Sequence, residues 1–450
     1  MLSTETVAII GAGFSGTLLA INLLRHDGPK ALLIERDQTR IARGVAYGTY
    51  RPEHLLNVRA MNMSAFPDQP GHFSNWLARS GIEAGFVPRR IYGAYLSDAL
   101  RETMAEAPGR LTIVSGEAAA IDPGEREIGI GFADGSRVSA DAVVLAPGNL
   151  PPHGLKQLEG LDPTDGVYCP DPWAPAVTAG LGDSDTVLLI GTGLTAVDVA
   201  LTLDANGFRG RILALSRRGL SPRAHDPAAP PAAPVSRPHA MGAALVRHVR
   251  GRVKEIGWHA AIDELRPHTQ NIWRSADIAA QKRFLRHLRP WWDVHRHRLA
   301  PAVAGKVAEL EAEGRLQFAG GRIVKVAAVE GGADVTWRQR FTGAETITRV
   351  QRIVNCTGPQ GDVLRTREPL LQDLAARGII RPDPLRLGID VDSRGRVVGR
   401  DGCPNERIFT IGPMTRGAFW EIIAVPDLRH QTWDLARWLS SAHWVGGEGL

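Results

Sequence analysis

Apolar and polar positions along the chain repeat one arrangement twice. Val7 to Ile10 form a short, uniformly apolar block that predicts a strand buried on both faces, followed by a helix over Ser15–His26 and a second apolar block, Ala31–Ile34. Val187 to Ile190, a helix over Thr195–Asn206 and a strand over Arg211–Leu215 restate that order. Each unit then reaches a meander. From Leu111 a short strand leads through three alternating segments, parted by Pro123-Gly124 and Asp134-Gly135, to an apolar strand, Ala142–Ala146, that stops at Pro147-Gly148. The later copy runs Leu316–Phe318, Ile323–Val329, Ala333–Arg338, Glu345–Thr348 and Arg352–Asn355, and stops at Cys356-Thr357-Gly358.

Between these blocks the pattern is looser. Ala42–Asp68 has no sustained period and reads as an ordered loop, before helices around Gly71–Ser80 and Ile91–Ala105. Asn149–Asp185 is a connector rich in proline and glycine, and Ser221–Pro238 is an extended Pro/Ala run. Helices over Gly242–Ile256, Trp258–Arg266, Ala276–Leu288 and Ala300–Glu313 read as an insertion in the second unit that covers its site. A variable stretch, Pro359–Leu387, precedes a hairpin over Ile389–Val398 turning at Ser393-Arg394-Gly395. A strand, Arg407–Ile411, then leads through Gly412-Pro413 to a final helix around Pro426–Ser440.

The chemistry sits in the first turn of each unit. Gly11-Ala12-Gly13-Phe14-Ser15-Gly16 is G-x-G-x-x-G between a strand and a helix. Its glycines allow a tight turn, close approach of a pyrophosphate and close helix packing, and the helix start offers free N–H groups to the phosphates. Glu35, followed by Arg36, ends the second strand about 20 residues past the last glycine, where such folds bind a ribose hydroxyl pair. The second unit has Gly191-Thr192-Gly193-Leu194-Thr195-Ala196, or G-x-G-x-x-A, but no acid at the equivalent strand end. Ser216, Arg217 and Arg218 stand there instead. Two arginines and a hydroxyl suit a ribose 2′-phosphate, which predicts NADPH over NADH. Asn57, Met61, Met63 and Ser64, in the loop after the second strand, are candidates to line a cofactor ring.

Composition narrows the class. At 450 residues and 44% hydrophobic content the chain should hold two or three domains. The excess of 53 basic over 48 acidic residues is spread too thinly to argue for nucleic acid. Cys169, Cys356 and Cys403 lie far apart with no C-x-x-C, which excludes the usual dithiol reductase chemistry. No long apolar stretch or secretory-type start is present, so the expectation is a cytoplasmic protein with no membrane partner. His287, His295 and His297 offer poor chelating spacing and no metal is expected.

With both glycine turns in hand, the chain resembles the two-dinucleotide-binding flavoproteins, which include flavin monooxygenases and amino-acid N-hydroxylases. GVAYGT, HLLNV, the segment Pro88-Arg89-Arg90 to Tyr92-Gly93, IWRSADIAAQKRFLRHLRPWWDVHRHRLAP and NCTGP more closely resemble the bacterial FAD/NAD(P)-binding proteins of the YdhS type. The resemblance implies an α/β fold with two Rossmann-like domains in a glutathione-reductase-like arrangement, β-meanders and a helical insertion at about 221–313. FAD would lie on Gly11, Gly13, Gly16 and Glu35, NADPH on the Gly191 unit, with Gly148, Gly358 and Gly412 near the domain crossings and the flavin. The FAD domain would be 1–149 plus 350–450, the NADPH domain 183–349, and the connector 150–182.

The implied activity is an NADPH-reduced monooxygenase that forms a C4a-(hydro)peroxyflavin with O2 and oxygenates a small nucleophile, with amine N-hydroxylation favoured. GVYCPDPWAP, Gly166–Pro175, stands where many class B monooxygenases carry a fingerprint but lacks its histidine, which weakens a Baeyer–Villiger assignment. Trp173, Trp273, Arg274 and Trp420 join Asn57 and Ser64 as candidates to contact substrate. An NADPH-dependent reductase serving a protein or quinone, and a non-catalytic flavin redox sensor, remain the rival readings.

Overall fold

A computed structural model describes residues 4–162, 165–226 and 235–441. Part of the Pro/Ala run, 227–234, lies outside them. The chain divides into two compact units, one of residues 1–52, 58–150 and 361–450, the other of residues 53–57 and 151–360.

The first unit opens with β1 (Thr6–Ile10), α1 (Phe14–Arg25) and β2 (Lys30–Glu35). Val7, Ala8 and Ile9 have no exposed surface, as a strand flanked on both sides requires. The following loop holds a short α-helix, α2 (Gly44–Tyr47), and a 3-10 turn (Ala60–Asn62), and leads to α3 (His72–Arg79) and α4 (Arg89–Glu106). The strands β3 (Leu111–Ser115), β4 (Ala118–Pro123), β5 (Ile128–Phe132), β6 (Arg137–Ala140) and β7 (Ala142–Leu145) follow. Here the meander β4-β5-β6 is a separate three-stranded sheet, while β3 and β7 join β1 and β2.

The second unit contains β8 (Tyr168–Cys169), β9 (Thr186–Ile190), α5 (Leu194–Ala205) and β10 (Arg211–Ser216). Its helical insertion is α6 (Gly242–Leu265), α7 (Thr269–Ser275), α8 (Ile278–His287), α9 (Arg289–Arg296) and α10 (Pro301–Ala312). Gly257, at φ 78°, breaks α6 where the sequence separates two helices. The insertion also holds α7 and α9, which periodicity does not reveal because each is only two turns long. The unit closes with β11 (Leu316–Val329), β12 (Gly332–Gln339), β13 (Glu345–Val350) and β14 (Arg352–Asn355).

Three features of this unit differ from expectation. Leu316–Phe318 and Ile323–Val329 are one strand, β11, so the meander continues the parallel sheet as a seven-stranded order β13-β12-β11-β10-β9-β14-β8. Strand β14 pairs with β9, which carries the unit to Gln360 instead of ending it near 350. The connector is part of the unit too: Tyr168 and Cys169 pair with Ile353 and Val354, and the buried Arg352 guanidinium donates to the carbonyls of Ala176 and Ala179.

The chain returns to the first unit with α11 (Pro369–Arg377), β15 (Arg396–Val398), β16 (Pro404–Thr410) and α12 (Val425–Leu439), giving the sheet order β15-β16-β7-β1-β2-β3. The hairpin expected over Ile389–Val398 is reduced to a bridge between Val391 and Val397, and β15 pairs instead with β16. A core of Ala8, Ile34, Val143, Leu145, Ile130 and Leu374 binds sheet, meander and α11. Leu188, Leu215, Val335, Trp337 and Ile353 do the same in the second unit. Full burial of each such aliphatic side chain contributes about 1.5–3 kcal/mol.

Candidate dinucleotide sites

Both glycine turns are built the same way. Gly11 has φ +104°, and a Cβ there would stand 2.3 Å from the Ala146 carbonyl oxygen at the end of β7. Gly191 has φ +127°, and its Cβ would stand 2.3 Å from the Cys356 carbonyl oxygen at the end of β14. The N–H of Gly11 donates to the Ile34 carbonyl at 2.9 Å and that of Gly191 to the Leu215 carbonyl at 2.8 Å. Gly13 and Gly193 are extended N-caps of α1 and α5. Among the described residues the N–H groups of Gly13, Phe14 and Ser15, and of Gly193, Leu194 and Thr195, meet no acceptor. These are the donors a pyrophosphate takes from a helix start, so both turns fit such a group.

The third position differs. A Cβ on Gly16 would come within 1.9 Å of the Gly11 carbonyl oxygen, whereas Ala196 already carries one. In the first unit α1 is therefore seated closer to its turn. Ala42 N–H donates to the Ala12 carbonyl at 2.8 Å, and Gly44 lies against Gly13, with 3.5 Å from the Gly44 Cα to a Cβ placed there. Phe14 packs on Tyr47 and Tyr92, with ring centroids 6.0 and 6.3 Å away. Burial pushes both tyrosine hydroxyls well above their ordinary range and Tyr95 to about 12, so this aromatic wall stays uncharged at physiological pH.

At the strand ends, Glu35 accepts from Ala12 N–H at 2.8 Å and Asp37 N–H at 3.1 Å, which fixes its carboxylate beside the turn. Arg36 is paired with Glu117 at 3.0 Å and Glu368 at 2.8 Å. In the second unit Ser216 Oγ lies 2.9 Å from Thr192 Oγ1 and accepts from Gly219 N–H at 3.0 Å. Arg218 Nη2 reaches the carbonyls of Arg286 and His287 at 3.3 and 3.4 Å, where a cation suits the end of α8. Arg217 lines a cavity of about 470 Å³ with Gln157, Arg322, Arg338 and Arg340.

The remaining sequence candidates are scattered. Met63 and Ser64 are buried, and Ser64 Oγ donates to the Gln69 carbonyl at 2.6 Å, while Met61 is exposed. Asn57 belongs to the second unit, where its carbonyl lies 2.9 Å from His225 Nε2. His54 of the same short segment has Nε2 2.8 Å from Thr202 Oγ1 of α5, and its ring meets Trp173 edge-on at 5.9 Å. Trp173 is half-exposed; Trp273, on α7 beside Arg274, is buried against Phe284. In the first unit Trp420 is buried, and Gly412 N–H, at the end of β16, is taken by Gln431 Oε1 at 2.8 Å. Gly148 and Gly358 end β7 and β14 with φ +70° and +85° and open space where a Cβ would be. His295 stacks on Trp258 at 4.4 Å. Burial pushes the Cys169 and Cys356 thiols up, Cys356 strongly, leaving both protonated and unreactive.

The arginines at 322, 338 and 340 are the site residues that sequence reasoning did not single out. Their alternate spacing on facing strands carries a signal only once Gly320-Gly321 is read as a continuation of β11 and not as a break.

Residues 8–150 match the family described as FAD-NAD(P)-binding. Comparison of the sequence with curated proteins gives no match. Among solved structures, the FAD-bound cadaverine monooxygenase of Erwinia amylovora has a TM-score of 0.67 at 13% identity, covering 97% of this chain and 94% of that one. The reduced ornithine hydroxylase of Pseudomonas aeruginosa has a TM-score of 0.66 at 15% identity, covering 97% and 99%. The ornithine N-hydroxylase of Kutzneria sp. 744, solved with reduced FAD, NADP+ and L-ornithine, has a TM-score of 0.62 at 15% identity, covering 98% and 99%. The chain has the fold of the two-dinucleotide-binding flavoproteins over nearly its whole length. Among the described residues no helix is long and apolar enough to cross a membrane.

Proposed function

We propose that the protein is an FAD-dependent, NADPH-reduced monooxygenase that N-hydroxylates a small amine or amino acid, a member of the YdhS-type proteins working in the cytoplasm. The observation that carries this reading is the contrast between two equivalent turns: Glu35 is held beside the first, and Ser216, Arg217 and Arg218 follow the second. A carboxylate suits the ribose diol of FAD and repels a 2′-phosphate, while arginines suit that phosphate. The first unit then holds FAD and the second NADPH. The fold shared with amine and amino-acid hydroxylases supports the substrate class.

Bound at the first turn, FAD would accept hydride from NADPH and activate dioxygen for transfer of one oxygen atom to the amine nitrogen. The chain's own part is binding and exclusion. The N–H groups of Gly13, Phe14 and Ser15 hold the pyrophosphate, and Glu35 the ribose. Phe14, Tyr47 and Tyr92 pack against one another behind the turn, and the two tyrosine hydroxyls are too weakly acidic to yield protons at working pH. With Cys169 and Cys356 buried, the second unit offers no dithiol to carry electrons onward.

The test uses the FAD-loaded chain. NADPH should bleach the flavin without oxygen, and oxygen uptake should rise on adding an amine such as ornithine, cadaverine or another diamine, without matching free peroxide. Bleaching with uptake indifferent to every amine would return the protein to the reductase reading. Failure to bind FAD at all would remove the flavoprotein reading.

A further inference from the structure

The cavity beside Arg217 is lined by four arginines and no acid. Its far wall is the β11–β12 pair, in which Arg322 stands directly opposite Arg338. Like charges on facing positions of an antiparallel pair repel, and although both arginines are exposed to solvent, the placement favours a bound anion. Part of the compensation is internal: Arg338 Nη2 pairs with Glu345 Oε1 at 2.8 Å. Arg340 Nη1 donates to the Arg217 carbonyl at 3.1 Å and so fixes the backbone at the cavity mouth. Among the described residues the guanidinium groups of Arg217 and Arg322 have no partner. They are the two donors left for a ligand.

The position of the cavity says which ligand. Strands β10 and β11 are parallel, with Ser216 beside Gly320. Arg217 therefore follows the strand end where a Rossmann fold seats the adenosine ribose, and Arg322 lies just beyond the matching point of the neighbouring strand. A space of about 470 Å³ is within the range of small-ligand pockets, roughly 300–1,000 Å³. Guanidinium forks bind a phosphate dianion in bidentate fashion.

We propose that this cavity receives the 2′-phosphoadenosine end of NADPH, with Arg322 of the meander and Arg217 holding the 2′-phosphate and Arg340 positioning Arg217. The inference rests on the NADPH reading and adds that the second meander decides between NADPH and NADH. Arg218, engaged with the end of α8, has no part in it.

Calorimetric titration of the full-length, FAD-loaded protein with 2′,5′-ADP and with ADP tests this without turnover. Wild type should bind 2′,5′-ADP more tightly than ADP. Arg322→Ala should weaken 2′,5′-ADP by about tenfold or more, the scale of a lost charge-assisted bond, and leave ADP unchanged. Arg322→Lys should restore part of the loss, and added salt should narrow the gap between wild type and Arg322→Ala. If Arg322→Ala binds 2′,5′-ADP like wild type while Arg217→Ala does not, the cavity assignment is overturned and the NADPH reading survives. If wild type shows no preference for 2′,5′-ADP, both are overturned. ADP binding reports in the same titration that each variant is folded.

Discussion

The two units carry the same turn and the same arginine clip but set them in different surroundings. Gly11 and Gly191 pass equally close to the carbonyl at the end of a neighbouring strand. Arg110, just before β3, reaches Asp27 at 3.2 Å and the Gly28 carbonyl; Arg315, just before β11, reaches Asp204 at 2.8 Å and the Phe208 carbonyl. Asp27 is almost fully exposed, whereas Asp204 is mostly buried among Arg209, Lys306 and Arg315. The meanders diverge as well. In the first unit the meander β4-β5-β6 leaves the parallel sheet and forms a sheet of its own. In the second it continues the sheet through β11 and brings Arg322, Arg338 and Arg340 alongside Arg217. The same glycine turn thus stands in different surroundings, set by what the adjoining strands do next, and on the proposed reading this is what separates the two ligands.

The sharpest way to break this comparison is to fill the turns. Gly11→Ala forces a Cβ into a carbonyl oxygen at positive φ and should cost roughly 3 kcal/mol or more. It should abolish FAD retention, read from the absorbance of the purified protein, yet leave 2′,5′-ADP binding intact; Gly191→Ala should do the reverse. Loss of both ligands in either variant would mean that the turns are not independent sites.

Removing Arg217 comes next. Arg217→Ala should reduce the preference in kcat/KM for NADPH over NADH by about 10- to 100-fold, the scale of a charge-assisted contact to phosphate. An unchanged ratio would defeat the assignment of the second turn.

The acid clips should separate in stability. Asp204→Asn should lower the unfolding free energy by roughly 1–3 kcal/mol in urea titrations, because it strands partly buried cations, while Asp27→Asn should change nothing measurable. Burial opposes ionisation of Asp204, but Arg315 and Lys306 outweigh it and hold the carboxyl below its ordinary value. Its contribution is therefore present above the ordinary carboxylate pKa and lost as pH falls through the lowered one, so wild type and Asp204→Asn should converge in acid. A modest effect is expected at Ala196→Gly, about 1 kcal/mol of helix propensity with both cofactors still bound. Its counterpart Gly16→Ala should not fold normally.

Much of the candidate site is legible in the residues. Gly11 and Gly191 are demanded by positive φ and a facing carbonyl, and Gly16 by its contact with the Gly11 carbonyl, while Gly13 and Gly193 are read from their spacing alone. Glu35 and Arg217 follow from a strand of fixed length after a helix of fixed length, so register alone places them. Asn57 is different: its place in the chain puts it with Met63 and Ser64, but residues 53–57 are drawn to the second unit, where His54 meets α5. No local pattern records such a pairing. The α7 and α9 helices escape for a related reason: two turns hold too few apolar positions to establish a period.

The amino-acid order by itself determines two βαβ units, their glycine turns and the acid or arginines at the strand ends, because each is a matter of spacing over neighbouring residues. Only the tertiary structure decides that β11 runs unbroken past Gly320-Gly321, that β14 and Tyr168–Cys169 complete the second sheet, and that Arg322 stands beside Arg217. Those outcomes depend on hydrogen-bond pairing between strands that are distant in the chain, and pairing partners are selected by burial of whole faces rather than by any local sequence.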